Sequence, residues 1–244
     1  MNIALVLSGG TGTRLGGDIP KQYIEVNGQM LISFCLKMFS GHKRVDGIWI
    51  VASKEWQPKI TEEAKKFGFE KDIFGFSLPG ENRQLSIYNG LVGIRDFLGT
   101  DSEEKTVIVH DAARPNLSAS FTNRCLDALE GYDGVMPVLP MKDTVYYSED
   151  KKSVDRLLER EKIYAGQAPE VYRLDKYIEA NERLLPKEIL NIKGSTEPAV
   201  MAGLKIAMIP GDEKNYKVTT KNDLDKFRLE QDNEVYIGSN VKRC

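Results

Sequence analysis

The stretch Ser8-Gly9-Gly10-Thr11-Gly12-Thr13-Arg14, closed by Pro20-Lys21-Gln22, brings together the residue types that hold a polyphosphate. It follows the apolar run Ile3-Ala4-Leu5-Val6-Leu7. A strand that empties into a glycine-rich loop aims backbone N–H groups at whatever lies above its end, and such a nest binds anions. Glycines let the main chain approach closely and take positive φ. Arg14 and Lys21 add two cations that can neutralise charge developing on phosphate during reaction. Two common nucleotide loops are excluded by spacing. No Gly-Lys-Ser/Thr triplet closes a P-loop window. The dinucleotide fingerprint has Leu15 where its third glycine belongs.

Three further stretches carry chemistry. Val107-Ile108-Val109-His110-Asp111-Ala112-Ala113-Arg114-Pro115 is an apolar strand that ends in charge. An Asp at a strand end beside a phosphate loop can ligate Mg²⁺ or take a substrate hydroxyl, or it can cap a helix with Arg114 as its partner. His110 reads as a hydrogen-bonding residue rather than a base. In Leu78-Pro79-Gly80-Glu81-Asn82-Arg83-Gln84-Leu85-Ser86, Gly80 exposes peptide groups that can read a base edge, and Ser86 can add a hydroxyl. A helix N-terminus explains this stretch as well. In Asn215-Tyr216-Lys217-Val218-Thr219-Thr220, a threonine caps the last helix. Lys217 is expected on a strand before it.

The elements that must position these residues alternate. Apolar runs at 3–7, 47–52, 72–78, 106–110 and 134–138 are separated by helical periods at about 29–39, 56–67, 83–97 and 118–130. Alternating βαβ units predict an α/β fold with a predominantly parallel sheet between helical layers. Ligands then bind at the carboxyl ends of the strands. Residues 141–170 break the pattern. Tyr146-Tyr147, the polar turn Ser148 to Lys152 and a return strand predict a hairpin arm over about 141–165. Such an arm packs on a partner chain or lies on the surface. Helices at about 173–184 and 197–203, a strand at 205–209 and a helix from about 220 complete the reading, with residues 1–244 taken as one domain.

The chain has 244 residues and a formal net charge of −2, with 41% hydrophobic residues, which is enough for a large core. That charge argues against a nucleic-acid partner. Cys35, Cys125 and Cys244 share no metal-ligand spacing and are expected as free thiols in a cytoplasmic protein. The N-terminus has neither a basic region nor a long apolar run, so neither export nor a membrane is expected.

Taken in order, Gly-Gly-Thr-Gly-Thr-Arg…Pro-Lys-Gln, Gly-x-x-Arg-x-x-Ser, His-Asp-Ala-Ala-Arg-Pro, Lys-Asp-Thr and Asn-x-Lys-Val-Thr-Thr-x-x-Asp-Leu resemble the sugar-alcohol-phosphate cytidylyltransferases. That family includes enzymes acting on 2-C-methyl-D-erythritol 4-phosphate and on ribitol 5-phosphate. The resemblance runs from residue 3 to about residue 229. It implies a Rossmann-like three-layer nucleotidyltransferase domain with a protruding β-arm. It also implies that CTP and a polyol phosphate react to give a CDP-polyol and pyrophosphate, with Mg²⁺ on the triphosphate.

By the same resemblance Arg14, Lys21 and Lys217 are catalytic. Ser8, Gly9, Gly10, Thr11, Gly12 and Thr13 cradle the nucleotide, with Gly80, Glu81 and Ser86 around its base and Arg83 also on the nucleotide. Asp111, Arg114, Thr144 and Arg160 face the acceptor, the last two reaching across a homodimer, and Asp111 is a candidate metal ligand. Methylerythritol phosphate, for isoprenoid precursors, is the expected acceptor. Ribitol phosphate for cell-surface polymers such as teichoic acid, another polyol phosphate, or a non-catalytic nucleotide-binding homologue are the alternatives. The chain departs from the family pattern at Gln167-Ala168-Pro169-Glu170, where Gln-Thr-Pro-Gln is usual, and at Gly194-Ser195-Thr196-Glu197-Pro198. Both departures bear on the acceptor more than on the nucleotide.

Overall fold

The structure, a computed structural model, describes residues 1–10, 19–99 and 104–241, with side chains to residue 233. The expected loop residues Thr11, Gly12, Thr13 and Arg14, and Cys244, lie outside the described residues.

The apolar runs form the central strands. β1 (Asn2–Leu7), β4 (Gly47–Val51), β5 (Ile73–Ser77) and β6 (Thr106–Asp111) run parallel in the order β5-β4-β1-β6. Side chains alternate across a strand, so each strand feeds two cores. Ala4, Val6, Ile48, Ile50 and Ile108 pack on one face with α1 (Leu31–Ser40), α2 (Gln57–Phe67) and α4 (Ala119–Asp127). Ile3, Leu5, Val51, Val107 and Val109 pack on the other with α3 (Arg83–Leu98) and α5 (Leu174–Glu182). Strands buried on both faces read as continuous apolar runs, which is how they were legible. Between β1 and α1 lies a small hairpin of β2 (Glu25–Val26) and β3 (Gln29–Met30).

The second half departs from a simple βα alternation. β7 (Gly134–Pro140) pairs in parallel with the edge strand β12 (Ile206–Pro210). β11 (Glu170–Arg173) inserts antiparallel between β6 and β7, while β10 (Tyr164–Gly166) pairs antiparallel with the far end of β7. The expected arm forms from β8 (Val145–Tyr147) and β9 (Arg156–Leu158), which pair with each other and with no other strand among the described residues. α6 (Glu197–Met201) and α7 (Lys221–Val241) complete the described chain. Lys217 stands in an irregular segment before α7, not on a strand. Val218 N–H bonds to the Ala113 carbonyl at 2.8 Å, which fastens this segment beside the end of β6 without making a strand.

Caps fix the helix starts that matter. The Asn82 side chain accepts the Leu85 N–H at 2.7 Å at the start of α3. At the start of α7, Asp223 accepts both Thr219 N–H and Thr220 N–H while Thr220 Oγ1 accepts Asp223 N–H, a reciprocal cap. Cys35 and Cys125 are buried free thiols. No helix among the described residues is long and apolar enough to cross a membrane.

Candidate active site

A cavity of about 390 Å³ opens at the carboxyl ends of β1 and β6, whose last residues Leu7 and Asp111 line it. Gly9, Gly10 and Lys21 form one wall, and Gly80, Glu81 and Ser86 another. Gly9 and Gly80 are required by close approach rather than by positive φ. A Cβ on Gly9 would stand 2.5 Å from Pro79 Cβ, and one on Gly80 would stand 2.6 Å from Leu85 Cγ. The loop after β1 is held from beneath. Gln22 Nε2 donates to the carbonyls of Ser8 at 2.8 Å and Gly10 at 2.7 Å. Each such bond is worth about 1 kcal/mol net. Ser8 does not line this cavity; its buried hydroxyl donates to the Tyr23 hydroxyl at 2.8 Å.

The stretch at Gly80, packed beside Gly9, differs from the expectation of a free peptide edge. Gly80 N–H donates to Ser86 Oγ at 3.0 Å, and Ser86 Oγ donates to the Asn82 carbonyl at 2.8 Å. Ser86 therefore braces the 80–82 turn, which shapes the wall. A donor already inside a tight turn is not free to read a base.

Asp111 organises the cations. Its Oδ1 takes Arg83 Nη2 at 3.1 Å, and its Oδ2 takes Lys217 Nζ at 3.0 Å and Arg114 Nε at 3.3 Å. Burial alone would raise the Asp111 pKa, but Arg83, Lys217 and Arg114 together hold it far below the usual carboxylate range. Asp111 was expected as a candidate magnesium ligand. With both oxygens spent on three cations it does not fit that role, and a divalent ion would have to displace an ammonium or a guanidinium. Among the described residues no group of three His, Cys, Asp or Glu side chains gathers to hold a metal.

Neighbouring backbone fixes these side chains. Arg114 Nη1 donates to the Asn215 carbonyl at 2.9 Å. Asn215 Nδ2 reaches the Ala168 carbonyl at 2.6 Å, and Gln167 bonds to the Asp212 carbonyl and N–H, both at 2.9 Å. This bracing holds the segment that presents Lys217. His110, fully buried, donates from Nε2 to the Arg114 carbonyl at 3.0 Å, and burial lowers its pKa to about 4.

A second cavity, about 480 Å³, shares Arg83, Asp111 and Lys217 with the first and extends to Arg114, Glu170 and Thr196. Arg83, expected on the nucleotide side, thus stands at the boundary of both. Thr144 and Arg160 do not reach this cluster within the chain. They line a separate hollow on the arm, where Arg160 donates to the Lys142 carbonyl at 3.0 Å and pairs with Glu161 at 3.2 Å. The sequence reading named the stretches that contain Gln22, Gln167, Asn215 and Ser195 but gave these four no part in building the site. All four are buried polar side chains, and burial is not visible in a sequence.

Comparison with known proteins gives a consistent result. A family model described as IspD, 2-C-methyl-D-erythritol 4-phosphate cytidylyltransferase, matches residues 2–229. The enzyme of that name from Thermotoga neapolitana is 32% identical over 229 residues, covering 94% of this chain and 96% of its own. A bifunctional ribulose 5-phosphate reductase/CDP-ribitol pyrophosphorylase from Haemophilus influenzae is 28% identical over 91% of this chain, which corresponds to 46% of that protein. A crystal structure of 4-diphosphocytidyl-2C-methyl-D-erythritol synthase from Anaerococcus prevotii shares the fold, with a TM-score of 0.77 at 24% identity, covering 95% of this chain and 96% of that one. The strand-end cavity, its glycine wall and a family match spanning nearly the whole chain agree, and the chain belongs to the 2-C-methyl-D-erythritol 4-phosphate cytidylyltransferase family, enzymes of the nucleotidyltransferase class.

Proposed function

We propose that the chain transfers CMP from CTP to a polyol phosphate and releases pyrophosphate, with 2-C-methyl-D-erythritol 4-phosphate as the leading acceptor. The observation that carries this reading is the boundary between the cavities: Arg83, Asp111 and Lys217 line both, as a site that joins two phosphorylated ligands requires. CTP takes the cavity beneath Gly9, Gly10 and Gly80, and the acceptor takes the other. An acceptor phosphate oxygen attacks the α-phosphorus in line; the new P–O bond forms as the bond to pyrophosphate breaks. The nucleophile is already an anion, so no strong base is required. Positioning and charge neutralisation by Arg14, Lys21 and Lys217 supply the catalysis. Among the described residues none fits a resident metal ion, so magnesium is taken to enter as part of the substrate, on the triphosphate.

The arm completes the acceptor site from a second copy. Its strands pair with no other strand among the described residues, and Tyr146, Val154 and Leu157 are exposed on it. Thr144 and Arg160 then serve the partner's acceptor rather than their own chain's. The reaction is assigned to the cytoplasm.

A second acceptor, ribitol 5-phosphate, is favoured by the Haemophilus influenzae relative named above. The test is pyrophosphate release from CTP across a panel of polyol phosphates. Turnover with methylerythritol phosphate above all others supports the leading reading, and turnover with ribitol phosphate above all others replaces it. Tight CTP binding without pyrophosphate release from any acceptor would leave a non-catalytic nucleotide binder.

A further inference from the structure

Glu170 opens β11, the strand inserted between β6 and β7, and pairs in register with Val109, two residues before Asp111. That topology sets a second carboxyl beside the Asp111 cluster. Glu170 is 7% exposed and lines the acceptor cavity. Its Oε1 accepts the Ser195 hydroxyl. Its Oε2 is buried with no hydrogen-bond partner among the described residues, and Arg83 Nη2 stands 4.0 Å away. A buried polar atom without a partner is uncommon and calls for an explanation.

The carboxyl is also held in place. The Ser195 carbonyl accepts the Tyr177 hydroxyl at 2.6 Å, and Gln84 Nε2 donates to that hydroxyl at 3.2 Å and to Asn181 Oδ1 at 2.6 Å. Tyr177 in turn stacks on Tyr172, ring centroids 3.9 Å apart. A polar group fixed by a buried network on one side and unpaired on the other is the arrangement of a site built to meet a ligand atom.

We infer that Glu170 is a specificity-determining residue of the acceptor cavity, and that its unpartnered Oε2 pairs with a hydroxyl of the polyol phosphate. The inference rests on the acceptor reading of that cavity. The phosphate itself is directed elsewhere, to Arg114, Lys193 and Lys217 on the same lining, because a carboxylate facing a phosphate would repel it. Burial raises the Glu170 pKa against the opposing pull of Arg83. A hydroxyl both donates and accepts, so it satisfies the carboxyl in either protonation state.

The test measures kcat/KM for the acceptor with the highest turnover and for each of its monodeoxy analogues. Wild type is compared with Glu170→Met and with Glu170→Gln, which keeps the side-chain volume and remains readable if Glu170→Met does not fold. In the wild type one deoxy analogue is expected to lose roughly 10- to 100-fold, the size of a hydrogen bond to a charged group. The same analogue should lose less than about threefold in Glu170→Met and an intermediate factor in Glu170→Gln, with KM for CTP unchanged in both. Equal losses for every analogue in all the proteins, or a matching rise in KM for CTP, would overturn the inference and leave Glu170 as a support for Arg83. Product from no polyol phosphate at all would overturn the acceptor reading as well, so the two failures are distinguishable.

Discussion

Asp111 and Lys217 lie 106 positions apart in sequence and meet at 3.0 Å, carboxylate oxygen to ammonium. Asp111 is 7% exposed, whereas about a third of the Lys217 side chain is open to solvent. One end of the pair is therefore anchored and the other is presented to both cavities. A lysine held this way meets a phosphate without the entropy cost of ordering a free side chain. Lys217→Ala should lower kcat by roughly 10²-fold or more, the cost of removing a group aimed at developing charge, with little change in melting temperature. Asp111→Asn should lower both. Removing one partner of a buried ion pair costs about 3–5 kcal/mol, and the partial exposure of Arg83 and Lys217 brings the expectation to about 2 kcal/mol. Steady-state kinetics beside urea unfolding of each variant separates the two roles. An Asp111→Asn protein as stable as wild type would show that the three cations do not depend on it.

Arg14→Ala and Lys21→Ala should each reduce turnover by roughly 10²–10³ while weakening acceptor binding much less. Separate measurement of kcat and of acceptor KM checks this. Nearly unchanged turnover would make the 8–22 stretch an ordinary loop after a strand.

CTP should be used in preference to ATP and GTP. The wall at Gly80 is drawn close by the bond from its N–H to Ser86, which limits the width available to a base. Ser86→Ala removes that brace and should narrow the preference for CTP. Competition assays with the three nucleotides measure it, and equal turnover with ATP in the wild type is the contrary result.

The site is expected to be shared between two chains. Mixing Arg14→Ala with Arg160→Ala under conditions of subunit exchange should restore activity, because a hybrid dimer contains one site with both arginines intact. Arg160→Lys should also impair the enzyme, since a lysine cannot fork onto a phosphate with two parallel hydrogen bonds. No recovery despite demonstrated exchange, or full activity in a monomer, rules out the composite site.

His110 should stay neutral to unusually low pH. Burial lowers its pKa to about 4, against an unfolded value near 6.5. Between those values the unfolded chain binds more protons at this position than the native one, so stability falls as pH drops from about 6.5 to about 4. His110→Gln should flatten that slope in urea unfolding series. Imidazole NMR signals of the wild type should show no titration of His110 above about pH 5.

Much of the framework was written locally. Five apolar runs, the glycine loop after the first of them and the threonine cap before α7 are features of neighbouring residues, and each is legible because its physics acts over a few positions. The hairpin arm was legible for the same reason: two short strands flank a polar turn. What the chain order did not reveal is β11. Four residues, Glu170–Arg173, lack a period long enough to declare a strand, and their partners β6 and β7 lie far away in sequence. Their insertion sets Glu170 within 4.0 Å of Arg83. Asp111 meets Arg114 locally, three residues on, but meets Arg83 and Lys217 only through the fold. The sequence by itself determined the family, because short motifs in a fixed order are a local signal that chain order preserves, and the family model matches residues 2–229. The charge balance around the second cavity was decided mainly by tertiary structure, because Coulomb forces and desolvation depend on distances through space, and those between Asp111, Glu170, Arg83 and Lys217 are set by the fold rather than by position along the chain.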